Sequence, residues 1–535
     1  VSAVSRTIEF IDTSIRDGNQ SLWSATGLTT SDVVAVAPLL ERVGYHALDY
    51  TSSTHLGVSV RFHREDPWER MRRVRELMPT TLLGMITTGM RFISWVPADE
   101  DVMRLSFRVG VRNGLRRLQI ADPSNHPQRL MRIARLAREE GFEEIVIGLT
   151  YSISDVHTHA YYAERAAALA DCPDMDRLYL KDPGGLLTPD AVLELAPSLL
   201  AAAGHRPLEL HSHCTIGLAP IVYVEGVRAG FAVVHTASGP LSRGTSQPEA
   251  LSTVRNLEAS GFSHALDLEA QRVVDAHLGR LAQAKRLPAG RAQEFDAAYY
   301  RHQLPGGMVT TTRRMLEELR RPELFDAVLD EVARVRADMG YPILVTPVSQ
   351  FIASQAARNV IDGSRWSTVS DETIRYFLGH YGDPPAPVNP DVADRVLSRP
   401  QTEKLRRLRP ITLEGARERF GARLSDEELL LRLTMPAEQV DAMVAARGHT
   451  RPGPGPRPTP KPQRLARAAP SASSSPPSPP GPLPGSANGS APLLLLLREL
   501  ARRPEIVSFS LSGEHERVLW RRALHSSPAS RSEPP

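Results

Sequence analysis

The chain has 535 residues, with 64 Lys and Arg against 61 Asp and Glu, and 41% of its residues are hydrophobic. That length exceeds what one compact core holds, so at least two folded units are expected. The near balance of charge excludes a chain-wide basic or acidic surface of the kind that marks nucleic-acid or membrane partners. Two cysteines, Cys172 and Cys214, lie outside any CxxC spacing, which fits a reducing compartment and no disulfide framework. The first residues show no basic segment followed by an apolar run, and LLLLL at 493–497 is far short of the roughly 18 apolar residues of a membrane helix. The expectation is a cytoplasmic protein with no membrane insertion.

From residue 7 to about 260, short apolar runs alternate with longer amphipathic segments. The predicted strands are TIEFIDTS from Thr7, HALDYT from His46, TLLGMIT from Thr81, RLQIADP from Arg117, EIVIGLTYS from Glu144, RLYLKDP from Arg177, LELHSHC from Leu208 and AVVHTAS from Ala232. Helical patterns lie between them, among them SDVVAVAPLLERVG, DPWERMRRVRELM, PQRLMRIARLAREEG and PDAVLELAPSLLAAAG, with Asp or Pro near their starts and Gly at several ends. Eight strand-plus-helix units in about 250 residues are what a (β/α)₈ barrel, the TIM barrel, requires. The fold class is therefore α/β, with the barrel over 1–265. No Gly-rich dinucleotide loop follows the first strand. In such a barrel the active site lies at the C-terminal ends of the strands. RDGNQS, KDPGG, HSH and TAS follow strands one, six, seven and eight there.

Residues 266–450 read as mostly helical, interrupted by two unusual loops, RHQLPGGMVTTT from Arg301 and YPILVTPVSQFIASQA from Tyr341. Residues 451–490 are Pro, Ser and Gly almost throughout, too poor in apolar area to offset chain entropy, and are expected to form a disordered linker. The tail at 491–535 has material for one helix and a hairpin.

The strand period of two aims His211 and His213 at one face. Two imidazoles with a carboxylate suit Zn, Mn or Co, and Asp17 at the end of strand one is the candidate third ligand. Lys181 is the odd neighbour, because an ammonium has no lone pair for a metal. Carbamylation by CO₂ would convert it into an anionic oxygen ligand. Each feature also has an ordinary reading: HxH as paired polar residues in a loop, KDPGG as a turn, a strand-end Asp as a helix cap. Their joint placement on three strands at one barrel mouth favours the metal.

Taken in order, DTSIRDGNQS (from Asp12), KDPGGLLTP (Lys181), LHSHCTIGLA (Leu210), GTSQPE (Gly244), HQLPGGM (His302) and VTPVSQFIASQA (Val345) resemble the motif series of the biotin-dependent carboxyltransferases. That family includes the carboxyltransferase domain of pyruvate carboxylase, the oxaloacetate decarboxylase alpha subunit and the pyruvate-side subunit of transcarboxylase. The resemblance runs from about 7 to 445. It implies an enzyme that moves CO₂ between carboxybiotin and an enolisable 2-oxo acid such as pyruvate or oxaloacetate, through a metal-stabilised enolate, with residues 266–450 as a funnel-like domain completing the site. By the same resemblance Asp17, carbamylated Lys181, His211 and His213 are the metal ligands, and Arg16 and Gln20 line the substrate site. Thr346 is the proton shuttle, and the loops carrying His302, Gln303, Gly306, Gly307 and Gln350 meet biotin. Carboxybiotin is expected on a separate carrier protein, with a biotin carboxylase subunit as partner and a homodimer as the assembly. No Met-Lys-Met biotinylation site or ATP-grasp region is seen.

The acceptor pocket departs from the pyruvate pattern. After strand three stands ITTGMRFISWVP (86–97), where Arg91 is the candidate to hold the substrate carboxylate. After strand two the usual Gly-Gly-Ala-Thr-Phe-Asp run is TSSTHLGV (51–58), and a customary Arg in the first loop is Gly27. The competing reading is a metal-dependent aldol or Claisen lyase or synthase resembling hydroxymethylglutaryl lyase, which shares the strand-one and strand-seven motifs but lacks the VTP and HQLPGGM segments.

Overall fold

Eight parallel strands close on themselves: β1 (Thr7–Asp12), β2 (Ala47–Ser52), β3 (Leu82–Thr87), β4 (Arg117–Ala121), β5 (Glu144–Thr150), β6 (Arg177–Asp182), β7 (Leu208–Ser212) and β8 (Val233–Thr236). Each pairs with the next, and β1 pairs with both β8 and β2, which completes the barrel. The computed structural model describes residues 6–88, 98–447, 508–512 and 517–521. All eight predicted strands are present, and the TIM-barrel fold class holds.

Local chemistry sets where the outer helices begin. Thr29 caps the helix Thr30–Val43 in a reciprocal box with Asp32, Asp99 caps Glu100–Arg112, and Thr188 caps Pro189–Ala203 with proline at its start. The helices' apolar faces and the outward side chains of the strands make the main core. Inside the barrel, Ile11, Ala47 and Val233 form a separate small apolar cluster with Leu82 against it. By the strand period, Asp49 on β2 and His235 on β8 share that interior face, one step nearer the active-site mouth.

A second apolar core gathers Leu304, Val328, Val332, Phe351, Ile352, Trp366 and Leu405, all from the helical region after the barrel. The last helices, Leu413–Phe420, Asp426–Thr434 and Ala437–Arg447, instead return to the barrel's core through Ala416, Leu429, Leu430, Val440 and Met443. Trp68 on a barrel helix donates to the Glu427 carbonyl at 3.2 Å, and Arg447 pairs with Asp66 at 2.6 Å. Of the tail, Ser508–Ser512 and Arg517–Arg521 pair as an antiparallel hairpin. The expected linker at 451–490 lies outside the described residues. Among the described residues no helix is long and apolar enough to cross a membrane.

Candidate active site

β7 carries Glu209 and His211 on its inner face, and His213 follows just past its end. Register sets Lys181 of β6 directly beside His211. Asp17 enters from the short helical turn Ser14–Gly18 after β1. One ligand atom from each of Asp17, His211 and His213 lies within 4.8 Å of the others, and all three residues are buried. The Nε2 atoms of His211 and His213 stand 3.2 and 3.4 Å from Oδ2 of Asp17.

The electrostatics suit a cation. Burial alone would raise the Asp17 carboxyl, but the Arg16 guanidinium at 3.2 Å holds it well below the usual carboxylate range. Burial, aided by the nearby Lys181 charge, pushes His211 well below its ordinary value, so its ring is neutral. His213 uses Nδ1 on the Thr245 carbonyl at 2.6 Å, which leaves Nε2 as a lone-pair donor facing Asp17. A carboxylate and two imidazoles whose Nε2 atoms converge on it are a divalent-metal donor set, so the residues fit such an ion. Lys181 is 7% exposed, and burial pushes its ammonium down to about 8. A neutral amine is the form that reacts with CO₂.

The GTSQPE motif, read as sequence, assigns no role to Gln247. Fully buried, Gln247 aims its Nε2 at Asp17 Oδ2 (3.0 Å), His211 Nε2 (3.2 Å) and His213 Nε2 (3.0 Å). Its Oε1 lies 2.8 Å from Thr13 Oγ1 and 3.1 Å from Ser246 Oγ. One amide with two hydrogens thus faces three acceptors, a further sign that the pocket presents lone pairs. Its position two residues past Thr245, on the loop after β8, was the available signal.

Arg16 is 4% exposed and clamped, with Nε donating to Asp49 Oδ2 at 2.8 Å, Nη2 donating to the same oxygen, and Nη1 in an ion pair 3.2 Å from Asp17 Oδ1. Among the described residues these contacts occupy three of its five N–H groups. Gln20 is half-buried in the helix Asn19–Trp23 and hydrogen-bonds to none of these groups. Arg91 lies outside the described residues. At Gly27 an added Cβ would press on the Trp23 ring, so the first loop has no room for a long side chain there without moving that indole.

The second group of expected residues is spread wider. Gln303 is engaged with the barrel itself: its Nε2 donates to the Ile153 carbonyl at 2.8 Å and its Oε1 accepts from Ser152 Oγ at 3.1 Å. Arg336 reinforces that join by donating to Ser152 Oγ at 2.7 Å. His302 accepts from the Leu304 N–H at 3.1 Å and packs edge-on to Tyr299. Gly306 abuts Thr245, where a Cβ would overlap the threonine methyl, so this loop leans on the residue whose carbonyl orients His213. Gly307 faces open space. Thr346 and Gln350 are half-buried, one before and one within the helix Val348–Ile361, and neither hydrogen-bonds to Asp17, His211 or His213.

Gly185, in KDPGG, has φ +69, and a Cβ there would overlap the His213 carbonyl. Gly185→Ala is therefore expected to lower stability by about 1–3 kcal/mol and to displace His213. The check is chemical denaturation beside a metal titration, and an unchanged midpoint with unchanged metal uptake would refute it.

The conserved carboxylase domain of pyruvate carboxylase and oxaloacetate decarboxylase type matches residues 299–455. A pyruvate carboxylase subunit of Methanocaldococcus jannaschii is 34% identical over 391 residues, which are 73% of this chain and 68% of that protein. The chain belongs to the biotin-dependent carboxyltransferase family. It is an enzyme of that class, and the lyase and synthase reading is set aside. Another relative of this carboxyltransferase is the 2-oxoglutarate carboxylase large subunit of Hydrogenobacter thermophilus, 28% identical over 466 residues, covering 84% of this chain and 70% of that one. The carboxyl transferase domain of Rhizobium etli pyruvate carboxylase, solved with pyruvate, shares the fold at a TM-score of 0.75 and 24% identity, over 83% of this chain and 78% of that one.

Proposed function

We propose that this carboxyltransferase moves CO₂ between carboxybiotin, presented by a biotinylated carrier that a biotin carboxylase recharges, and an enolisable 2-oxo acid of the pyruvate and oxaloacetate type. The observation that carries the reading is the buried convergence of Asp17, His211 and His213 beside Lys181 at the barrel mouth. These four would hold Zn, Mn or Co, with Lys181 as a carbamate. When bound, the metal supplies fixed positive charge where negative charge develops on the substrate's carbonyl oxygen.

The chain's own groups do the rest. Arg16, pinned by Asp49 and Asp17, turns its remaining N–H groups toward the substrate carboxylate, a charge-assisted pairing that orients the α-keto unit. Gln20 lines the acceptor side, and Arg91 is the sequence's candidate for a second cation toward the substrate carboxylate. Thr346 passes one proton between the substrate's α-carbon and the biotin ring nitrogen. Its hydroxyl suits that relay because it donates and accepts at the same oxygen. The HQLPGGM loop, with Gln350, borders the biotin entry.

The relatives named for pyruvate and 2-oxoglutarate show that the family's acceptors vary. Purified protein supplied with free biotin is expected to release CO₂ from oxaloacetate faster than without biotin. Turnover of a longer 2-oxo diacid or a malonyl-type thioester in place of oxaloacetate would move the acceptor and leave the chemistry intact. Failure on every member of such a panel by protein with bound metal would refute the reading.

A further inference from the structure

Beneath the candidate metal pocket lies an imidazole that the motif series does not include. His235, on β8, is fully buried, and its Nδ1 sits 3.3 Å from Nδ1 of His211. Its other nitrogen, Nε2, lies 2.9 Å from Oε2 of Glu209. Glu209 is fully buried too and precedes His211 by two residues on β7, hence on the same inner face. Arg117 Nη2 donates to Glu209 Oε2 at 2.5 Å, and Arg177 Nη1 stands 3.7 Å from its Oε1. The Tyr179 ring stacks on His235 at 5.0 Å with 15° between the planes, which fixes the imidazole's tilt.

We propose that Glu209 and His235 are positioning residues that set the tautomer of His211, so that its Nε2 lone pair faces the metal pocket. The argument is a count of hydrogens. A carboxylate paired with two guanidinium groups is an acceptor only, so Nε2 of His235 carries the hydrogen it donates to Glu209. A neutral imidazole has one N–H, so Nδ1 of His235 is a lone pair. The atom opposite, Nδ1 of His211, is then the donor. That leaves Nε2 of His211 bare, aimed at the space it shares with Asp17 and His213. His213 reaches the same state through the Thr245 carbonyl. The two ligands are thus oriented by different acceptors, a backbone carbonyl and an imidazole polarised by a carboxylate behind it.

The proposal rests on the metal reading above, and two measurements separate the two. In the full chain with ¹⁵N-labelled histidine, assigned with His211→Gln and His235→Gln, two-bond ¹⁵N–¹H spectra of metal-free protein are expected to show hydrogen on Nδ1 of His211 and on Nε2 of His235. Hydrogen on Nε2 of His211 would overturn the relay, whether or not His235→Phe folds. In Co²⁺ titrations against a chromogenic chelator, His235→Phe is expected to bind about 10–100-fold more weakly than wild type with an altered d–d absorption. His235→Gln, whose Oε1 can accept from Nδ1–H, is expected to regain most of that affinity. A folded Phe variant with wild-type affinity and spectrum would sink the proposal. Wild-type protein that takes up no Co²⁺ would overturn the metal reading, and the spectra would then decide the tautomers alone.

Discussion

Lys181→Ala is expected to lose metal and carboxyl transfer together while the barrel stays folded. Two facts point there: Lys181 is buried next to His211 on the neighbouring strand, and its amine is pushed down to about 8 by that burial. An unmodified ammonium at this place would repel a cation, so a bound metal demands that the charge be removed or reversed. Carbamylation does both. On the carbamate reading, truncation removes an anionic oxygen and leaves three ligands, so activity should fall by about 10²–10³-fold, the scale of losing one stabiliser of developing charge in a dry site. Metal content by mass spectrometry and biotin-dependent CO₂ release from oxaloacetate are the checks. A variant that kept its metal and its turnover would dispose of the carbamate.

Thr346→Ala is expected to behave in the opposite way. It should keep the metal, since Thr346 makes no bond to Asp17, His211 or His213, and lose proton transfer. A positioned acid-base group contributes about 10²–10⁴-fold, and that is the expected fall in biotin-dependent turnover. Thr346→Ser, which keeps the hydroxyl, should recover most of it. If the Ala variant turned over oxaloacetate as fast as the wild type, the shuttle would have to be another group. Together the two variants separate holding the metal from moving the proton.

The barrel was legible in the sequence because its cause is local. Apolar runs of strand length alternate with amphipathic helical segments opened by caps such as Thr29 and Asp99, and parallel strands need helical crossovers. The HSH spacing likewise announced two imidazoles on one face, because a strand repeats every two residues. A lysine and an aspartate at the ends of other strands completed the candidate set, since the barrel brings those ends to one mouth.

Only the tertiary structure decided which interior side chains touch. Gln247 reaches Asp17 across 230 residues of chain, and its amide among three acceptors is invisible to any spacing rule. His235 lies within one predicted strand and Glu209 within another, and no motif singles out either residue. Closure of the barrel sets β7 against β8, and the stagger between them brings Glu209, His235 and His211 into one line. Gln303, expected from its motif at the biotin entry, is held by Ser152 and Ile153 of the loop after β5, a pairing fixed by how the helical region seats on the barrel. Strand periodicity chooses the face a side chain takes; the neighbour it finds there depends on strand order, register and closure, which no local stretch of sequence encodes.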